Sequence, residues 1–68
     1  MWYKLQSMSI SINGQLYEAS SAGGKTWMVK RYANDDPGTK EYVESLIESE
    51  ESDPVAVVKE AIARNSWA

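Results

Sequence analysis

The chain has 68 residues, no Cys and no His, and a formal net charge of −3 from ten acidic and seven basic side chains. These features exclude disulfides, thiolate metal sites and histidine-based acid–base catalysis, and they argue against general affinity for nucleic acid, which needs a basic excess. A chain of this length has a thin hydrophobic core, which rarely contributes more than about 3–5 kcal/mol of folding stability. Close packing or self-association as a homodimer must therefore stabilise the fold.

The sequence also predicts the compartment. No apolar run approaches the ~18 residues of a membrane span, and the residues after Met1 lack the apolar stretch of a secretory signal. We therefore expect a soluble, cytoplasmic protein that contacts no membrane.

The first half of the chain opens with a hairpin pattern. Met8 to Ile12 alternate apolar and serine side chains, which is typical of a half-buried strand. Asn13-Gly14 follows at once, and it favours a two-residue type I′ turn because both residues accept a positive φ. We predict strands over about residues 2–12 and 15–21. One face then carries Met8, Ile10, Ile12, Tyr17 and Ala19, and the other carries the serines, Leu16 and Glu18.

A second turn at Gly23-Gly24 precedes aromatic and β-branched residues, which predict a third strand over about residues 25–33. An even-numbered loop pairs Ala19 with Met28 and brings Met28 to the apolar face. The opposite face then carries Trp27, Val29 and Arg31 beside Leu16 and Glu18. An odd-numbered loop reverses this assignment. The sequence therefore leaves open which face is buried, and whether Trp27 belongs to the core or to an interface.

The second half predicts two helices. The first, over about residues 38–51, follows the turn cluster Asn34 to Gly38 and has one narrow apolar face. That face consists of Tyr42, Val43, Leu46 and Ile47. The second helix, over about residues 54–66, starts with Asp53 as N-cap and Pro54 in the first turn. Its inward residues are Val55, Val58, Ala61 and Ile62.

Together these elements predict one α+β domain over residues 1–68 in the order β-β-β-α-α. A three-stranded antiparallel β-meander has one apolar face, and two amphipathic helices packed on that face would cover it. Trp2 and Trp67 lie near the two ends of the chain. We expect each to dock on the body and anchor its segment, because large aromatic side chains carry much of the buried area of a thin core; exposure of both is the alternative.

Two motifs suggest chemistry but lack the residues that the chemistry needs. Gly23 to Thr26 resembles the end of a phosphate-binding loop, but Ala19 occupies a position where that loop needs glycine. The loop also needs a helix after it, whereas the residues after Thr26 predict a strand. The acidic run Glu48 to Asp53 lacks the central glycine of a calcium loop. It reads as a solvated turn or as a surface for a partner. We therefore predict no catalytic, cofactor or metal residues, and a protein that is not an enzyme.

The remaining candidates are binding residues. Trp and Arg are enriched at binding hot spots, and acidic residues crowd the second half of the chain. The predicted partner-binding residues are Trp27, Val29, Arg31, Glu44, Glu48 and Glu51. They predict a small acidic protein-binding module, for example an inhibitor, an antitoxin-like protein or an adaptor of a phage or mobile element, whose protein partner has a basic surface.

The alternative is a nucleic-acid-binding domain or small transcriptional regulator that reads a groove with its sheet. Lys4, Lys25, Lys30 and Arg31 with Trp27 would form its basic and aromatic strip. The acidic net charge opposes this reading, because domains that bind nucleic acid usually carry a basic excess.

Overall fold

The computed structural model of the chain describes residues 8–34 and 40–68. Four strands form one antiparallel sheet in the order β1-β2-β3-β4, and one helix packs on a single face of it. The elements are β1 (Met8–Ile12), β2 (Gln15–Gly23), β3 (Thr26–Tyr32), β4 (Tyr42–Glu48) and α1 (Pro54–Arg64). The fold is α+β, but the order of the described elements is β-β-β-β-α, so the predicted order β-β-β-α-α with two helices was wrong.

The first hairpin forms in the predicted register. Ile12 pairs with Gln15 and Ile10 pairs with Tyr17. Asn13 and Gly14 have φ angles of 52° and 77°, the positive values that a type I′ turn requires at both positions. The prediction for the hairpin is therefore confirmed over the described residues; the part of the predicted strand before Met8 lies outside them.

The second hairpin differs from the preferred prediction in its register. Ala19 pairs with Val29 rather than with Met28, because the register shifts by one residue between Ser21 and Gly23. Gly23 has a φ of 111°, a backbone conformation that favours glycine. An extra residue on one strand exchanges the two faces of everything beyond it. The assignment of Met28 to the core face was therefore wrong, and the reversed assignment is the one that the structure adopts.

The predicted helix over residues 38–51 was also wrong, because the strand β4 occupies the middle of that range, from Tyr42 to Glu48. Every residue of β4 pairs with β3, from Tyr32 opposite Tyr42 to Thr26 opposite Glu48. Tyr42 and Leu46 are four residues apart, and so are Val43 and Ile47. This spacing suits a helix, but it is also an even number. In a strand, even spacing keeps residues on one face. Tertiary pairing thus overrides the helix-favouring glutamates.

The final helix confirms its predicted start. Asp53 caps it by accepting a hydrogen bond from the Val55 N–H at 3.1 Å, and Pro54 lies in the first turn. The helix ends where Asn65 adopts a left-handed φ of 51°. Its buried residues are Val57, Val58 and Ala61. Ile62, which was predicted to point inward, is 38% exposed, so that assignment was wrong and Val57 takes its place.

The core lies between α1 and the sheet face that it covers. Val29, Val57, Val58, Ala19 and Ala61 are completely buried. The rest of the buried core consists of Ile10, Tyr17 and Ile47. Within the described residues, the one helix has 11 residues, well short of the ~20 that a membrane crossing needs.

Candidate protein-binding surface

The sheet face turned away from α1, here called the helix-free face, carries rows of side chains from β2, β3 and β4. Side chains alternate along each strand, so residues that neighbour the buried Ala19, Val29 and Ile47 point to this side. Cross-strand pairing then aligns them in rows. The rows are Ser20–Met28–Leu46, Glu18–Lys30–Glu44, Tyr32–Tyr42 and Thr26–Glu48. In the described part of the chain no helix or strand packs on this face.

Leu46 is the most exposed large apolar side chain in the described residues, at 61%. It lies directly opposite the half-buried Met28. Tyr42, on the same face of β4, is 43% exposed. Apolar side chains that gather on one exposed face commonly mark an interaction site. The helix-free face therefore has an apolar centre at β4.

Two acidic side chains flank that centre. Glu44 and Glu48 lie two residues before and after Leu46 on the same face, and both are exposed. Neither forms an ion pair with another described residue. Glu44 lies directly across from Lys30 in the register, but the Lys30 ammonium pairs with another carboxylate. The two carboxylates of β4 therefore present negative charge outward.

The lysine of this face is held by its own neighbours. Lys30 Nζ lies 3.5 Å from Glu18 Oε1 and 4.6 Å from the centre of the Tyr42 ring. The Tyr32 hydroxyl donates to the same Glu18 oxygen at 3.3 Å, and the Tyr32 and Tyr42 rings meet edge to face with centres 5.4 Å apart. We call Glu18, Lys30, Tyr32 and Tyr42 the tyrosine–lysine cluster. It neutralises Lys30 and fixes Tyr42 beside the exposed carboxylates.

The cluster raises two pKa values. Burial raises the pKa of Tyr32, and the negative charge and hydrogen bond of Glu18 raise it further. Burial by itself would lower the pKa of Lys30, but its electrostatic interactions with Tyr42, Glu18 and Tyr32 and its hydrogen bond to Glu18 outweigh that effect, so this pKa is raised. Lys30 therefore stays charged and Tyr32 stays neutral over the physiological pH range.

The predicted binding residues do not share one surface. Trp27, Val29 and Arg31 lie on the face that α1 covers, where Val29 is completely buried and Trp27 is half-buried against the core. Arg31 is exposed, with its guanidinium 5.3 Å from the centre of the Trp67 ring. Of the two faces that the sequence left open for these residues, the structure places them on the covered one, because the register shift exchanges the faces.

The acidic candidates divide in a different way. Glu44 and Glu48 lie together on the helix-free face, although on a strand instead of the predicted helix. Glu51 lies in the connection to α1, where its N–H donates to Ser49 Oγ at 3.1 Å. Leu46 and Tyr42 were missed as surface residues, because the helical reading turned them inward. Their even spacing from the two glutamates was the signal that could have found them.

The basic strip of the nucleic-acid reading is not assembled by the fold. Lys25 pairs with Glu50 at 2.7 Å, and Lys30 pairs with Glu18. Arg31 lies on the opposite face of the sheet from Lys30, because neighbouring residues of a strand alternate. Lys4 lies outside the described residues. The described cations therefore offer no continuous positive surface.

An open groove of about 710 Å³ lies where β4 leads into α1. Its charged groups bond to one another: Arg64 pairs with Glu60, Ser49 Oγ donates to Glu60, and Lys25 pairs with Glu50. The remaining lining residues are Glu48 and Glu51. The described residues contain no group of three or more side chains that could hold a metal ion.

Comparison of the chain with protein-family models, with curated proteins and with solved structures found no significant match in any of the three. The geometry of the helix-free face is therefore the basis for a proposed function.

Proposed function

We propose that this protein is a small protein-binding module that acts by contact rather than by catalysis, and that it binds its partner through the helix-free face. The observation that carries the proposal is the arrangement on β4, where exposed Leu46 stands between the exposed carboxylates of Glu44 and Glu48. An apolar centre within a charged rim is the usual organisation of a protein interface.

The charge of the face selects the kind of partner. The described lysines of the sheet region, Lys25 and Lys30, are paired within the molecule, whereas Glu44 and Glu48 are not. The net charge of −3 adds to the same sign. Complementary charge accelerates association and rejects partners of like charge. The partner in this proposal is a protein with an apolar contact site bordered by Lys or Arg, and an inhibitor, antitoxin-like or adaptor role is the form that such binding would take.

The experiment compares capture of proteins from the source cell by the immobilised wild-type chain and by variants. Leu46→Ser removes the apolar centre, and Glu44→Lys with Glu48→Lys reverses the rim. The matched control is Glu50→Lys with Glu51→Lys, which changes the net charge by the same amount in the β4–α1 connection. Circular dichroism confirms that each variant is folded.

We expect at least one protein that the wild type and the control retain and that both face variants lose. Its retention should fall as the salt concentration rises. Capture that is equal for wild type and both face variants would remove the helix-free face as the binding site. Loss by the control pair to the same degree would mean that overall charge, and not this surface, determines binding.

A further inference from the structure

We infer that the free edge of β4 is a self-pairing edge, through which two copies of this chain form a symmetric dimer with one continuous sheet. This inference concerns the backbone edge of β4 and does not depend on the proposed partner of the helix-free face. It is carried by the direction of the backbone groups of β4 and by the position of its two glutamates.

The hydrogen bonds to β3 determine which backbone groups of β4 point outward. The Ala33 N–H donates to the Glu41 carbonyl, and the Ser49 N–H donates to the Lys25 carbonyl, each at 2.9 Å. The backbone N–H and C=O groups of the odd-numbered residues in this segment therefore point toward β3. Because antiparallel strands alternate the direction of these groups, the even-numbered residues direct their N–H and C=O groups to the other edge. These residues are Tyr42, Glu44, Leu46 and Glu48.

That edge lacks most of the features that prevent strand pairing. No described strand lies beside it. β4 has seven residues, contains no Pro or Lys, and pairs with β3 without a register shift. Proteins usually interrupt an exposed edge with a bulge, a proline or a lysine. An uninterrupted edge with exposed Val43 and Leu46 is therefore a template for another strand.

The two-fold symmetric register follows from the backbone. Outward-pointing even residues must face even residues of the other copy, and this is satisfied when Ser45 faces Ser45 of the partner subunit. All seven residues of β4 then have a counterpart. In this register, Glu44 faces Leu46 of the partner subunit, and Tyr42 faces Glu48 of the partner subunit.

The charges favour this register over its neighbours. A shift of one step in one direction places Glu44 opposite Glu44 of the partner subunit, and a shift in the other direction places it opposite Glu48 of the partner subunit. Like charges directly opposite each other destabilise a strand pair. The register with complete overlap is thus free of the like-charge pairs that both neighbouring registers contain.

The same register covers exposed apolar area. Val43, on the α1 side, is 47% exposed, and it would lie opposite Ile47 of the partner subunit. Antiparallel pairing of two copies requires a two-fold axis perpendicular to the sheet, so both helices lie on one side and both helix-free faces on the other. Such a dimer adds apolar burial to a chain of 68 residues, whose size limits the core that it can form alone.

The test is sedimentation velocity of the full chain from micromolar to millimolar concentration, with variants that report on the register. Leu46→Glu places two glutamates opposite each other on both sides of the axis, and we expect it to weaken the dimer about tenfold or more. Adding Glu44→Lys to Leu46→Glu then places opposite charges in that pair and should restore dimerisation.

The matched control is Leu46→Glu with Glu48→Lys. It has the same net charge as the rescued variant, but residue 48 faces Tyr42 of the partner subunit, so it should remain weakly dimeric. A wild-type chain that stays monomeric at millimolar concentration would overturn the inference. So would a Leu46→Glu variant that dimerises like wild type, or equal rescue by the two lysine substitutions.

Discussion

The indole N–H of Trp67 donates to the backbone carbonyl of Val29 at 3.1 Å, which ties the segment after α1 to the middle of β3. The Trp67 ring also lies 5.6 Å from the Tyr17 ring and packs against the core. The prediction that Trp67 anchors its segment to the body is confirmed; Trp2 lies outside the described residues. Trp67 thereby holds the segment after α1 against the core.

Removing this anchor should destabilise the fold in two steps. Trp67→Phe keeps an aromatic ring but loses the hydrogen bond to Val29, and we expect a loss of about 1 kcal/mol. Trp67→Ala also loses the ring packing, and we expect a total loss of about 3 kcal/mol. Urea denaturation followed by circular dichroism measures both values. Equal stability of wild type and Trp67→Ala would contradict the anchoring role.

The orientation of α1 gives a second prediction. Val57 is completely buried, whereas Ile62 is 38% exposed. Val57→Ala should lower the free energy of unfolding by about 2 kcal/mol, while Ile62→Ala should cost less than about 1 kcal/mol despite removing more atoms. Both are measured by the same denaturation experiment. If Ile62→Ala cost more than Val57→Ala, Ile62 and not Val57 would face the core, which would contradict this orientation of α1.

The cap of α1 can be tested separately. Asp53→Ala removes the acceptor for the Val55 N–H, and we expect a loss of about 1 kcal/mol in unfolding free energy. Ser52→Ala is the matched control, because Ser52 is exposed and precedes the cap. Asp53→Asn should retain most of the stability. A control variant that loses as much stability as Asp53→Ala would count against the capping assignment.

The tyrosine–lysine cluster predicts a dependence on alkaline pH. The pKa values of Tyr32 and Lys30 are both raised in the folded protein. A raised pKa contributes stability that is complete below the unfolded-state value and is lost as pH rises through the folded-state value. We therefore expect the free energy of unfolding to fall above pH of about 10. Denaturation measured across this range gives the profile.

The tyrosinate absorbance of the folded chain, measured as pH rises, tests whether Tyr32 is the side chain that ionises in this range. Tyr32→Phe should remove the tyrosine ionisation that the raised pKa of Tyr32 displaces to higher pH. Glu18→Gln should move that ionisation to lower pH, because the carboxylate no longer raises the Tyr32 pKa. A Glu18→Gln variant that titrates like wild type would show that Glu18 does not control Tyr32.

The parts of the fold that the sequence predicted are those with strong local signals. Asn13-Gly14 determines both the turn and the register of the first hairpin, and Asp53-Pro54 determines the start of α1. In these cases the backbone preference of two adjacent residues and the surrounding apolar pattern require the same structure. Agreement between local and global preferences is what makes a segment predictable.

The parts that failed depend on choices that are not local. One extra residue near Ser21 moved Val29 into the core and Met28 out of it, and no strong local signal marks a bulge of this kind. In residues 42–48, glutamates and a spacing of four suit a helix as well as a strand. This segment forms a strand because it pairs with the edge of β3, a contact between segments that are distant in the sequence. The candidate surface changed with it, since Glu44 and Glu48 were predicted but Leu46 was not.

Both proposed surfaces require β4 to be a strand, so the most direct test is the conformation of residues 42–48 in the full chain by nuclear magnetic resonance. Lys30–Glu44 and Met28–Leu46 are the closely spaced pairs of the antiparallel ladder. We expect extended-backbone chemical shifts for this segment and strong contacts between the Hα atoms of Met28 and Leu46. Helical chemical shifts with sequential amide contacts and no cross-strand contacts would contradict it.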